Sequence, residues 1–543
     1  MDKKLSLKNE LSKVLACTPS ERARTIIDSP YTGEILEQLP PQETYLIIKE
    51  SWGTDSQILL QYVPPEAVCR FIDLDCWEGD TVSVDNVMEW LWELYNASFD
   101  ILAQALDTLD LEIIVLLFQT YLEVIHVTPT DEHIPDLLDE GYESLDSNYF
   151  YRIIREDDRT PLVKEMLSVL FTQQSDLYYT IMEGVMFEMA SNMEETSYEK
   201  RSFRLMEMGF PPPDEAMSIY RHIRKEKLLN QGILKEKTPL ISRDLHLLPT
   251  VYLENFSRGT SLLVHALEGT SPETKERFLY EMIYLANKIV MADFKPMNEM
   301  EELKRSMEKA SSLTSLGLSV AMREKGLSAE AILSTINADT LFSLGYNAIY
   351  EQQRRLKLIL QEIERSMVPE ALKEHVDGLL KKRPLYRDRD FSSLDELEEV
   401  RVSIDRIEAM ARMLRLLPWE DQIIHLSETN TGANLDMETV ILTALTVGSI
   451  EQETRFRPLE EGELQGFLSR ATNMKGQVRV VMPQFTQDLA AHLSNLIPSL
   501  EEDLVRDIVS LLVTRIEDEI SGIKDLALLD PRFITCFTVK LPG

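Results

Sequence analysis

Three stretches near the start decide how the chain is organised: Pro19-Ser20-Glu21-Arg22-Ala23-Arg24-Thr25-Ile26, Pro41-Gln42-Glu43-Thr44-Tyr45-Leu46-Ile47-Ile48 and Pro65-Glu66-Ala67-Val68-Cys69-Arg70-Phe71-Ile72. The prolines are 22 and 24 residues apart, and the seventh residue after each is isoleucine. Leu39 and Val63 stand two residues before the second and third prolines; Leu36 and Leu60 stand five before. Proline suits the first helical position, where its missing N–H costs nothing and its φ is already helical. Thr18-Pro19-Ser20-Glu21 also reads as a capping box. Apolar residues then recur at helical spacing for about two turns. A short helix, a proline stop and a second short helix make one unit of an α-solenoid, which hides its apolar face only by stacking on its neighbours. The pattern continues more weakly, with Phe99–Leu102 through Leu109–Ile114 forming a further helical pair.

These L-P-P-x-E and V-P-P-E units resemble the helical repeats in the cytosolic N-terminal domain of MgtE-type magnesium transporters, and the superhelix of the flagellar motor-switch protein FliG is similar. The resemblance covers about the first 125 residues. MgtE proteins continue into a nucleotide-sensing domain and a transmembrane pore. This sequence has no transmembrane segment, so the resemblance implies architecture and not transport. As a whole the chain resembles a bacterial family of unknown function, through Arg204–Pro211, Ser315–Leu318, Leu341–Gly345 and Asp530–Phe533. That family implies no reaction.

Beyond the repeats the character changes. His126–Pro135 is linker-like, and Gly141–Leu145 and Tyr149–Ile154 flank the polar turn Asp146-Ser147-Asn148, which predicts a β-hairpin near 142–154. Helices resume near Pro161 and run to Met208. Gly209-Phe210-Pro211-Pro212-Pro213 punctuates the chain, with the glycine closing one helix and the next beginning near Pro213. Further helices are expected from Pro272 to about Asp293 and from Met297 to Lys325, the second interrupted or bent near Gly317. Ser393-Leu394-Asp395-Glu396 caps a helix striped by Leu397, Val400, Ile404, Ile407, Ala411 and Leu414. Leu504, Ile508, Leu511, Leu512, Ile516 and Ile520 make a second stripe. The tail from Arg532 to Val539 reads as a strand or an extended docked segment. The expected fold is mainly α, with domains at 1–125, 126–209, 210–390 and 391–543, the last a helical bundle.

Composition agrees. Gly and Pro together number 44 of 543 residues, about 8% where roughly 12% is usual. The 92 Asp and Glu against 56 Lys and Arg give a formal charge of −36. That balance argues against nucleic acid and anionic membrane surfaces as partners, since both need a basic face. The start is polar and periodic without a signal-peptide core, and no window reaches the roughly 18 apolar residues of a membrane span. The run Leu111–Val124 comes closest but holds Glu112, Gln119 and Glu123. Four cysteines, Cys17, Cys69, Cys76 and Cys536, form no C-x-x-C pair and read as free thiols. A cytoplasmic protein is expected.

Nucleotide cradles, H-E-x-x-H, Cys/His zinc spacing, calcium loops and G-x-S-x-G are all missing. Three weaker constellations remain. Asp131, Glu132, Asp136, Asp139, Glu140 and Glu143 could hold Mg²⁺, with solvated surface as the plainer reading. Arg221, His222, Arg224, Lys225 and Lys227, and separately Lys381, Lys382, Arg383, Arg387 and Arg389, could dock an anion or pair within the chain. His126 and His133 share no helical face, and Trp77, Trp90, Trp92 and Tyr95 are core or an interaction hot spot. The reading that follows is a scaffold or regulatory protein that binds a protein partner of basic character. A Mg²⁺-responsive regulator and an enzyme with a site near residues 205–225 are the alternatives.

Overall fold

In the computed structural model, residues 2–17, 19–128, 134–223, 262–418, 428–431 and 435–541 are described. They are mainly α-helical, with three small antiparallel sheets. The chain divides into two compact units, Met1–Arg221 with Glu226–Ser343, and His222–Lys225 with Leu344–Gly543.

The first unit begins with the helices the prolines announce: α1 (Asp2–Ala16), α2 (Pro19–Ile27), α3 (Thr32–Gln38), α4 (Pro41–Glu50), α5 (Ser56–Leu60) and α6 (Pro65–Asp75). Pro41 and Pro65 occupy the first helical position, each after a second proline whose φ, −55° and −58°, leads the chain in. Thr18 lies outside the described residues. Ile26, Ile48, Ile72 and Leu60 are fully buried, and Leu36, Leu39 and Val63 are buried too. α2 stacks on α4 and α4 on α6, so each unit covers the apolar face of the one before. The Arg22 guanidinium donates to Glu43 Oε1 across the α2–α4 contact at 2.7 Å, both side chains buried.

A tight ladder of β1 (Trp77–Glu78) and β2 (Thr81–Val82) follows α6, and then come α7 (Val84–Ala97), α8 (Phe99–Thr108) and α9 (Leu111–Tyr121). α6 packs on α8 and α7 on α9, continuing the stack. The apolar run from Leu111 divides: its first eleven residues form α9, with Ile113 through Phe118 all buried, and the chain then straightens into β3 (Leu122–His126). Burial is worth about 1.5–3 kcal/mol per such side chain, so α9 is a core helix.

The expected hairpin is present as β4 (Glu143–Ser144) and β5 (Tyr149–Ile153). Asp146 Oδ1 accepts the Asn148 and Tyr149 N–H groups, and Ser147 takes a left-handed φ of 63° to close the turn. β3 pairs with the other edge of β5, Leu122 opposite Ile153 through His126 opposite Tyr149. The helical reading of the repeat region missed this strand. Between β3 and β4 lies α10 (Ile134–Asp139), and after β5 come α11 (Thr160–Gln173), α12 (Ser175–Phe187) and α13 (Ala190–Glu207). Gly209, at φ 85°, ends α13 in a Schellman motif: the Phe210 N–H donates to Leu205 O and the Gly209 N–H to Met206 O. Helices Pro272–Ala292 and Met300–Lys325 complete the unit's longer elements. The second runs without interruption through Gly317, which is buried against its neighbours.

In the second unit, the helix Leu394–Leu416 buries the expected stripe, Leu397 only partly. Ser393 accepts the Glu396 N–H, but the Glu396 carboxylate turns to the Ser392 N–H and to Arg389 instead of completing the box on Ser393. Helix Glu502–Ile520 buries Ile508, Leu512, Ile516 and Ile520. A hairpin of β6 (Thr472–Lys475) and β7 (Val478–Val481) was not anticipated. The C-terminal tail is docked rather than helical. Val539 bridges Leu459 and Lys540 bridges Thr429. Asn430 Nδ2 donates to the carbonyls of Pro531, Ile534 and Phe537, while its Oδ1 accepts the Val539 N–H.

Candidate functional site

The sequence-derived candidates lie partly within and partly outside the described residues. Asp131, Glu132 and His133 lie outside the described residues, as do Arg224, Lys225 and Lys227. Asp136 falls within α10, and Asp139 and Glu140 at its end are exposed. Glu143 accepts from Lys164 Nζ at 2.7 Å and from the Tyr151 hydroxyl at 3.4 Å. Among the described residues no group of three His, Cys, Asp or Glu side chains is placed to hold a metal ion. Arg221 is exposed and ends a 3₁₀ turn in the first unit; His222 belongs to the second, where its Nδ1 lies 3.0 Å from Asn347 Oδ1. The His126 ring sits 5.0 Å from that of Tyr149. The second basic island pairs within the chain, Arg389 with Glu396 at 2.5 Å, Arg387 with Glu374 at 3.8 Å and Lys381 with Asp388 at 3.9 Å. Of the four cysteines, all free, Cys69, Cys76 and Cys536 are buried.

The most elaborate polar constellation is one that motif reading missed, at the C-terminal end of α6. Asp73 and Asp75 stand in the last turn of that helix, where the macrodipole disfavours negative charge, and both are buried. Strong partners offset this. Asp75 Oδ1 accepts the Tyr45 hydroxyl at 3.0 Å and Asn298 Nδ2 at 2.9 Å; Oδ2 accepts Lys49 Nζ at 2.9 Å and Trp90 Nε1 at 2.7 Å. Burial pushes its carboxyl up, but those donors outweigh burial and hold it below the usual carboxylate range. The Lys49 ammonium also lies 4.6 Å from the Trp52 ring centre and 5.7 Å from that of Trp90, and Trp90 packs edge-on to Trp52 and against Tyr45 and Phe71. Trp90 is therefore core, at 1% exposure.

Asp73 faces α13. Arg204 grips it through Nε and Nη2 at 2.6 and 2.9 Å, and the same guanidinium donates to both oxygens of Asp110 at 3.1 and 2.7 Å. Burial works against the charge on Arg204, and the bonds to the two carboxylates more than restore it, raising its pKa. Arg201 donates to the Asp73 carbonyl at 2.9 Å, lies over the Trp77 ring, and is pulled down to about 10 by burial. Every oxygen of Asp73, Asp75 and Asp110 is thus occupied by a donor of the protein. Such a constellation locks helices together.

What this locked framework presents outward is charge. Residues 51–125 hold fourteen Asp and Glu and one basic residue, Arg70. Several of the acids are internally used: Glu93 accepts from Ser56 and Gln57, and Asp85, Glu89, Glu112 and Glu123 pair with Arg155, Arg159, Lys200 and Arg152. Glu66, Glu78, Asp80, Asp100 and Asp107 are exposed, and among the described residues none has a basic side chain within ion-pair distance. Thr108 Oγ1 reaches the Pro65 carbonyl at 3.4 Å, bringing the Asp107 end of α8 beside the Glu66 end of α6. The first unit therefore carries, on a frame of packed helices, exposed acids with no basic partner among the described residues.

Residues 1–540 match the model of a family of unknown function, DUF6178, and the chain belongs to that family. No curated protein and no solved structure matches it.

Proposed function

We propose that this member of the family is a binding scaffold rather than an enzyme, and that its N-terminal helical repeats recognise a protein partner with a basic surface. The observation that carries the reading is the charge of residues 51–125, fourteen acids against one base on a stack of helices whose buried Asp73 and Asp75 already have donors of the protein. Unpaired exposed carboxylates repel one another, and a cationic partner relieves that repulsion while gaining a steered encounter. The likeness of the proline-started units to the cytosolic domain of MgtE-type transporters and to the FliG superhelix accords with recognition by helical repeats. The compartment proposed is the cytoplasm, where free cysteines persist.

Residues 51–125 contain no lysine, so amine-to-amine cross-linkers are blind to this surface. The suitable test captures partners on the full chain and then joins carboxylates to amines with a zero-length carbodiimide reagent. Cross-links are expected from Glu66, Glu78, Asp80, Asp100 or Asp107 to partner lysines. Cross-links confined to residues 344–543 would overturn the proposal.

A further inference from the structure

The solvent face of α13 carries an observation the charge count does not include. Glu195, Glu199, Phe203 and Met206 are spaced four, four and three residues apart, which places them on one side of the helix, and all are exposed. Phe203 is 64% and Met206 51% exposed, although Leu205 beside them is 2% exposed in the core. The opposite side of the helix is fixed: Ser197, Arg201 and Leu205 are buried, and Arg201 and Arg204 tie it to α6 and α9. Phe203 and Met206 therefore cannot be hidden by rolling the helix without breaking those bonds. Their acidic surroundings continue past them to Glu207, whose only basic neighbour among the described ion pairs is Arg70 at 4.0 Å. Glu195 and Glu199 have no basic partner among the described residues.

We infer that this face of α13 is a docking surface for a basic amphipathic helix of another protein, whose apolar side covers Phe203 and Met206 and whose Lys or Arg residues meet Glu195, Glu199 and Glu207. The inference deepens the scaffold reading and rests on it. An exposed aromatic beside a flexible methionine offers an apolar anchor of the kind that carries binding energy. The carboxylates around it select the charge of what covers it. A second copy of the same face would set glutamates against glutamates, so a partner of opposite charge is the occupant the chemistry selects.

The test uses the full chain and a synthetic amphipathic peptide with Lys on one face and Leu on the other, followed by fluorescence anisotropy. A peptide with Glu in place of Lys serves as control. The wild-type chain should bind the Lys peptide and not the Glu peptide. The double variant Phe203→Ser with Met206→Ser should bind at least about tenfold more weakly, as loss of a hot spot does. The variant Phe187→Ser with Met189→Ser, which removes two other exposed apolar side chains, should bind as wild type does. Equal binding by both double variants would overturn the α13 assignment and leave the basic-partner reading standing. No binding by the wild-type chain would overturn both. A wild-type dimer in light scattering that the Phe203→Ser, Met206→Ser variant dissociates would assign the face to a second copy and also overturn the inference.

Discussion

Glu438, at 3% exposure, has an Oε1 with no hydrogen-bond partner among the described residues, and Asp436 and Glu519 are near it with Arg515 as the opposing charge. Burial first, and then Asp436, push its pKa up to about 7. In the unfolded chain it titrates near the usual glutamate value, so between about pH 4.5 and 7 the unfolded state has lost a proton that the folded state keeps. The folded state binds more protons across that window, and stability falls as pH rises through it. Well above pH 7 both states are ionised and the loss is complete, on the order of 3 kcal/mol. Glu438→Gln should remove this slope, so that in urea unfolding the variant gains on wild type as pH goes from 5 to 7.5. A difference that stays constant over that range would show that Glu438 is ionised throughout. Nothing in the sequence marks this residue: it is one of 92 carboxylates, and its burial follows from where helix Met437–Glu451 packs. The same holds for Asp73, Asp75 and Asp110, whose roles come from tertiary partners. Of the residues that spacing did single out, Asp139, Glu140 and Arg221 are exposed, and Asp131, Glu132 and Arg224 lie outside the described residues.

Among the elements, legibility depended on whether the cause was local. The starts at Pro41 and Pro65, the glycine stop after α13 and the turn at Asp146 are set by backbone preferences of a few adjacent residues, and each stands where the sequence puts it. β3 was not legible, because Leu122–His126 is a strand only through pairing with Tyr149–Ile153, and its own residues continue the apolar pattern of α9. The attachment of α13 was equally hidden, since Arg204 lies 131 residues from Asp73 and 94 from Asp110. That attachment is nonetheless a four-bond polar link from α13 to Asp73 and Asp110. Arg204→Ala removes the guanidinium that bridges the Asp73 and Asp110 carboxylates and leaves only the more distant charge of Arg201, bound to the Asp73 carbonyl, so it should cost up to about 3–5 kcal/mol. Arg204→Lys should recover only part, because one ammonium cannot span both carboxylates in the planar fork that guanidinium provides. Urea unfolding of the full chain measures both. A loss below about 1 kcal/mol for Arg204→Ala would show that the clamp contributes little to holding α13 on α6 and α9.

For the whole molecule, the sequence establishes the class and the charge, and the structure adds where charge is spent and where it is left over. Buried acids are matched by donors, peripheral ones by arginines and a lysine from residues 152–204, and a remainder on α6, α8 and the β1–β2 turn is exposed with no basic partner among the described residues. No described helix is long and apolar enough to cross a membrane. The scaffold account stands or falls on that remainder. The most direct measurement is the affinity of a captured partner for the full chain and for the triple variant Glu66→Lys, Asp100→Lys, Asp107→Lys, at two salt concentrations. All three positions are exposed, and reversing Glu66 and Asp100 in the first turns of α6 and α8 costs about 0.3–1 kcal/mol each against the helix dipole, so the variant should keep wild-type helicity. The account requires at least about tenfold weaker binding and a shallower dependence on salt, as expected when complementary rim charges are reversed. Unchanged affinity with an unchanged salt slope would contradict it.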